Sequence, residues 1–291
     1  MGDYVRFAAL GDSTTYGIGD PVPAGGWRGW ARLLADSLGG SNDVSLCNVA
    51  VSGATAGDVL ARQLQPALSH RPTVASLVVG INDTMRSTWD AARVRRDLLT
   101  CAEALHGSGA LLLTVRFHDH GEVLGLPGFL RRPMARRIDE LNGVYDEVER
   151  TFGGLRLDLV GRPEVRARAF WSVDRLHPSE LGHRSLARQF SVMLADRGLR
   201  LTPTSLALDG GVACSRWDDV RWMVTEGAPW FVRRARDLGP WAARLAAAEC
   251  VAARPRVPRV PVQAFDGGRA PGQVHPDTRI ETSSVHVAGP R

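Results

Sequence analysis

"TVASLVVG", residues 73–80, is apolar throughout except for Thr73 and Ser76. An unbroken run of this kind suits a strand covered on both faces, and such strands belong to parallel sheets shielded by crossover helices. Comparable runs lie on either side, at residues 5–10 and 44–49 before it and at "ALLLTVRF" (110–117) and "LRLDLV" (155–160) after it. Stretches with helical spacing of apolar residues separate them, at 27–38, 56–68, 91–105, 132–150 and 180–196. Strand and helix alternating at this spacing predict an α/β fold, a three-layer α/β/α sandwich around a parallel sheet of about five strands. Right-handed crossovers place helices on both faces, and binding sites gather at the carboxyl ends of the strands.

Composition narrows the function classes. Hydrophobic residues make up 44% and charged residues 23% of the 291, ordinary for a globular protein. The 36 basic residues are all arginine, but they are scattered rather than clustered with aromatics, so the net charge of +5 does not point to nucleic acid. No apolar run approaches a membrane span, and stable membrane insertion is not expected. The first residues, Met-Gly-Asp-Tyr-Val-Arg, lead at once into the first strand, so a cytoplasmic location is expected. Cys47, Cys101, Cys214 and Cys250 form no C-x-x-C pair and carry no functional message.

Four short blocks fall at the carboxyl ends of the expected strands or in nearby loops: "GDST" with Ser13, "NVAVSGAT" with Gly53, "VVGINDT" with Asn82, and "DRLHPSELGH" with Asp174 and His177. Each has an ordinary structural reading. Ser13 suits a helix N-cap, Gly53 a turn with positive φ, Asn82 a turn, and Asp174 a capping acid. Those readings do not explain why all four should project from one edge of one sheet. Their chemistries fit together there. A serine hydroxyl needs a base to become a nucleophile, histidine is a base near neutral pH, and a carboxylate can hold its imidazole in the productive tautomer. Backbone N–H groups of Ser13 and Gly53 and the side-chain amide of Asn82 suit the oxyanion of an acyl-transfer intermediate.

The chain order Ser, Asp, His is that of α/β-hydrolases, but no G-x-S-x-G elbow is present. The four blocks, in order over residues 5–197, instead resemble the SGNH (GDSL-type) hydrolase family, including its D-x-x-H block. The resemblance implies a flavodoxin-like strand order 2-1-3-4-5, with Ser13 as nucleophile, His177 as base and Asp174 as its orienting acid. It also implies an oxyanion hole of Ser13, Gly53 and Asn82, and no metal or organic cofactor. Thr14 stands where the family often has leucine. The expected activity is hydrolysis of a small-molecule carboxylic ester. Acyl transfer and thioester hydrolysis through the same acyl-enzyme are the alternatives, with a non-catalytic binding protein of the same fold behind them.

"FHDH", residues 117–120, follows the fourth strand. Its spacing would allow a metal, but lining the acyl pocket is the favoured reading for Phe117 and His118, and Trp89 is a further candidate for that pocket. The expected domains are residues 1–200 for the hydrolase and 201–253 for a mostly helical extension packing on it. Residues 254–291 are expected to form a flexible Pro/Gly-rich tail. The extension holds Trp217, Trp222, Trp230 and Trp241, which suit packing, a lid or a partner contact. Oligomeric state is not legible.

Overall fold

The computed structural model describes residues 4–211, residues 216–222 and separate positions between 224 and 247. Strand β1 (Tyr4–Gly11) runs into a one-turn helix, α1 (Ser13–Tyr16), and α2 (Gly29–Gly39) returns the chain to β2 (Asp43–Asn48). The helical run α3 has three joined segments, Ala56–Asp58, a π-turned Val59–Gln63 and Leu64–Ser69, before β3 (Val74–Val78). The alternation continues through α4 (Ile81–Thr84), α5 (Ala91–Gly107) and β4 (Leu111–Arg116). Next come α6 (His120–Val123), α7 (Gly128–Phe152) and β5 (Leu155–Asp158). After α8 (Pro163–Arg166), the long helix α9 (Glu180–Asp196) closes the sandwich, and α10 (Arg216–Trp222) lies beyond it.

The five strands form one sheet in the order β2-β1-β3-β4-β5, every pair parallel. All five residues of β3 are buried, as its unbroken apolar sequence requires. Helices α2 and α9 pack together over one face, while α5 packs on α7 and α3 over the other. Phe7 of β1, Trp30 of α2 and Phe190 of α9 stack through the first layer, with ring centroids 6.4 and 5.1 Å apart. Crossovers leave β1 and β3 in opposite directions along the sheet, so the loops after these neighbouring strands diverge and open a crevice.

Polar side chains from the helices hold the strand ends that border this crevice. Gly11 N–H donates to Gln63 Oε1 and Gln63 Nε2 donates to the Gly11 carbonyl, both at 2.9 Å. Val79 N–H donates to the Tyr145 hydroxyl at 3.1 Å, and that hydroxyl donates to the Val79 carbonyl at 2.8 Å. Phe117 N–H donates to Asn142 Oδ1 at 2.8 Å, and Asn142 Nδ2 donates back at 2.9 Å. Each pair satisfies a buried donor and acceptor just where the strand ladder ends. The sheet therefore delivers its three central loops from fixed points.

Residues following α9 lie along the sandwich and are pinned to it. Asn42 Nδ2 donates to the Arg200 carbonyl at 2.7 Å, and Arg184 and Arg188 donate to the carbonyls of Ser205 and Thr204 at 3.1 Å. Arg28, paired with Asp20 and Glu180, also donates to the Asp209 carbonyl at 2.8 Å. Among the described residues, no helix is long and apolar enough to cross a membrane.

Candidate active site

Ser13 is the first residue of α1, directly beyond the end of β1. The cap of this short helix is Asp12, whose extended backbone and Oδ1, accepting from Thr14 N–H at 3.1 Å, fulfil that role. The Ser13 hydroxyl is thus left for another partner. Gly11 is required by packing, because a Cβ there would stand 2.4 Å from the Val78 carbonyl oxygen.

That partner comes from the loop between residues 170 and 179. His177 Nε2 lies 2.8 Å from Ser13 Oγ, and its Nδ1 lies 2.5 Å from Asp174 Oδ2. Asp174 Oδ1 accepts from Ser172 Oγ and Leu176 N–H at 2.9 Å and from His177 N–H at 3.0 Å. Burial alone would raise the Asp174 carboxyl, but the hydrogen bonds and charge of His177 outweigh it and hold the group below the ordinary carboxylate range. A buried carboxylate that accepts four hydrogen bonds stays ionised and fixes the imidazole with Nδ1–H toward it. Nε2 is left as the acceptor facing Ser13. Arg175, at φ 55°, makes the tight turn that lets Asp174 and His177 meet three residues apart.

Asn82 is the second residue of α4, just after β3, and is buried. Its Nδ2 donates to the Ala54 carbonyl at 3.1 Å and stands 3.5 Å from Asp12 Oδ2, so one of its two N–H bonds is only weakly engaged. Two further bonds tie its loop to that of Gly53: Ala56 N–H donates to Asp83 Oδ2 at 3.1 Å, and Arg86 donates to the Gly53 carbonyl at 3.3 Å. Gly53 has φ +79°, and a Cβ there would meet no protein atom within 4 Å. Backbone conformation, rather than crowding, is what calls for glycine. Burial pushes the carboxyls of Asp12 and Asp83 up to about 6.

A cavity of about 50 Å³ opens beside Ser13. Its walls include Asp12, Asn82, Phe117, His118, His120 and Trp171. The structure therefore brings Phe117 and His118 to the cavity beside Ser13. It does not bring Trp89, which lines a separate polar cleft with Asp83, Arg86 and Asp97 and donates from Nε1 to Glu140 at 3.0 Å. Trp222 of α10 was legible only as one of four extension tryptophans, yet its ring meets His177 edge-on, centroids 6.2 Å apart and planes at 80°. Trp217 is 81% exposed, and Trp230 and Trp241 lie outside the described residues.

The chain is 27% identical over 157 residues to an acetylxylan esterase of Geobacillus stearothermophilus, covering 50% of this chain and 70% of that protein. It is 34% identical over 82 residues to an arylesterase of Vibrio mimicus, covering 28% of this chain and 39% of that one. Its fold matches the crystal structure of a lipase/acylhydrolase from Enterococcus faecalis with a TM-score of 0.54, at 22% identity, over 69% of this chain and 99% of that one. A model of the GDSL-like lipase/acylhydrolase family matches residues 9–185, and the chain belongs to that family of hydrolases.

Proposed function

We propose that the protein hydrolyses a small-molecule carboxylic ester through an acyl-enzyme on Ser13. The observation that carries this reading is the unbroken relay from Asp174 Oδ2 to His177 Nδ1 at 2.5 Å and from His177 Nε2 to Ser13 Oγ at 2.8 Å. His177 takes the hydroxyl proton as Ser13 Oγ attacks the ester carbonyl. The negative charge that develops on the carbonyl oxygen is met by the N–H groups of Ser13 and Gly53 and by the weakly engaged N–H of Asn82. His177 then passes its proton to the departing alcohol, and Asp174 stabilises the imidazolium throughout. Water, activated by the same imidazole, releases the acid and restores Ser13.

A fluorophosphonate probe tests the nucleophile together with turnover of p-nitrophenyl acetate. Wild type is labelled and active, whereas Ser13→Ala is neither, with its melting temperature close to wild type. Asp174→Asn retains the fold and loses on the order of 10⁴-fold in kcat, by analogy with serine proteases. Labelling that persists in Ser13→Ala would assign the chemistry to another residue.

A further inference from the structure

The cavity wall opposite a purely hydrocarbon acyl group should itself be hydrocarbon. Here it is not. His118 is 7% exposed and lines the cavity that holds Ser13, and neither Nδ1 nor Nε2 has a hydrogen-bond partner. Its ring is held by stacking rather than by polar contacts: His120 lies parallel at 4.0 Å and Trp171 is tilted at 5.0 Å. His120 spends its own Nδ1–H on the His118 carbonyl at 3.2 Å, which locks the pair in place. Buried side-chain nitrogens are ordinarily satisfied, and leaving one bare is costly.

Resting on the esterase reading above, we infer that His118 is a specificity-determining residue whose ring nitrogens receive a hydroxyl carried by a short acyl group. Three observations select this chemistry. A cavity of about 50 Å³, where one water needs roughly 10–15 Å³, admits only a few non-hydrogen atoms. Burial, reinforced by His120, holds His118 far below its ordinary pKa, so the ring is neutral and offers one donor and one acceptor. A hydroxyl is likewise both donor and acceptor, and it enters at a small desolvation cost. A carboxylate would meet no countercharge on this ring, would stand in the same cavity as the Asp12 carboxyl, and would pay the full cost of burial. An alkyl acyl group would strip the imidazole nitrogens of water and return nothing.

The test uses isosteric pairs of p-nitrophenyl esters: 2-hydroxypropanoate against 2-methylpropanoate, and 3-hydroxybutanoate against 3-methylbutanoate. Each rate is divided by that ester's rate of alkaline hydrolysis to remove intrinsic reactivity. In wild type, kcat/KM favours the hydroxyl member of at least one pair by about 10-fold or more. His118→Leu brings that ratio to one or below and raises turnover of the methyl ester, while His118→Gln, which keeps a donor and an acceptor, retains part of the preference. A wild-type ratio near one in both pairs overturns the inference even if neither variant folds. So does an unchanged ratio in a folded His118→Leu. In both cases continued turnover of the methyl esters leaves the esterase reading standing. Absence of turnover with every ester, with Ser13 unlabelled by fluorophosphonate, removes both together.

Discussion

Ser13 and Asp174 each stand where a helix cap is expected, and in each case a neighbour takes the cap. Asp12 caps α1, and Ser179 caps α9 by accepting from Gly182 N–H at 3.2 Å. The freed hydroxyl and carboxylate then meet on opposite sides of His177. Two other imidazoles, both buried, are kept neutral. Burial lowers both His120 and His183 to about 4. The folded chain therefore takes up these protons only near pH 4, whereas the unfolded chain takes them up near 6.5. Between those values the unfolded state binds more protons, so stability is lost as pH falls through that window. Asp12 and Asp83, raised to about 6, act in the opposite sense below pH 6. His120→Phe leaves those carboxyls in place and removes one imidazole. Its unfolding free energy in denaturant titrations should fall less steeply than that of wild type between pH 6.5 and 4, by a difference of up to roughly 3 kcal/mol. Parallel curves would show that His120 is protonated in the fold at ordinary acidity.

Strands and long helices were legible because their signal is local. The residues 73–80 announce β3, and the spacing over 180–196 gives α9 to the residue. The helix expected at 132–150 begins earlier, at Gly128, and the run at 56–68 contains a π-turn that no local pattern marks. The order of the strands came from the family resemblance, since pairing is long-range. Less legible still were Gln63, Tyr145 and Asn142, which look like ordinary polar positions on helices until the strand ends they hold are in view. Adjacency to the Asn82 block likewise does not say which way the Trp89 ring points, and it packs partly buried against the core. Tyr145→Phe tests whether these clamps matter to chemistry. Two buried backbone groups of Val79 would lose their partner, so stability should fall by about 2–4 kcal/mol in a denaturant titration. Because Val79 leads through Gly80 to Asn82, kcat should fall with KM little changed. A loss of stability with kcat intact would make the clamp structural only.

Across the whole molecule, the question is where the hydrolase body ends and what the residues beyond it do. The backbone of residues 200–209 is pinned by Asn42, Arg188, Arg184 and Arg28. Arg184 is itself 3% exposed and pairs with Asp209 as well as Glu180. Cutting the chain after residue 200 would strip a buried guanidinium of two of its three partners, Ser205 and Asp209, which is costly. The described side chains of α10 behave differently: Trp217 and Val220 are 81% and 52% exposed, and Trp222 turns its edge to His177. A chain ending at residue 211 keeps all of those arginine partners. One ending at residue 200 should melt about 5 °C lower or more, a loss of a few kcal/mol for a domain of this size. The longer truncation product should still be labelled at Ser13 by fluorophosphonate. Its kcat/KM for esters of bulky alcohols should rise relative to methyl esters, because the indole edge no longer narrows the approach to His177, and Trp222→Ala in the full chain should reproduce that change. If the 211-residue chain melts as low as the shorter one, the contacts of residues 201–211 carry little stability. If Trp222→Ala leaves the ratio of bulky to methyl esters unmoved, the ring packs on His177 without shaping access to it.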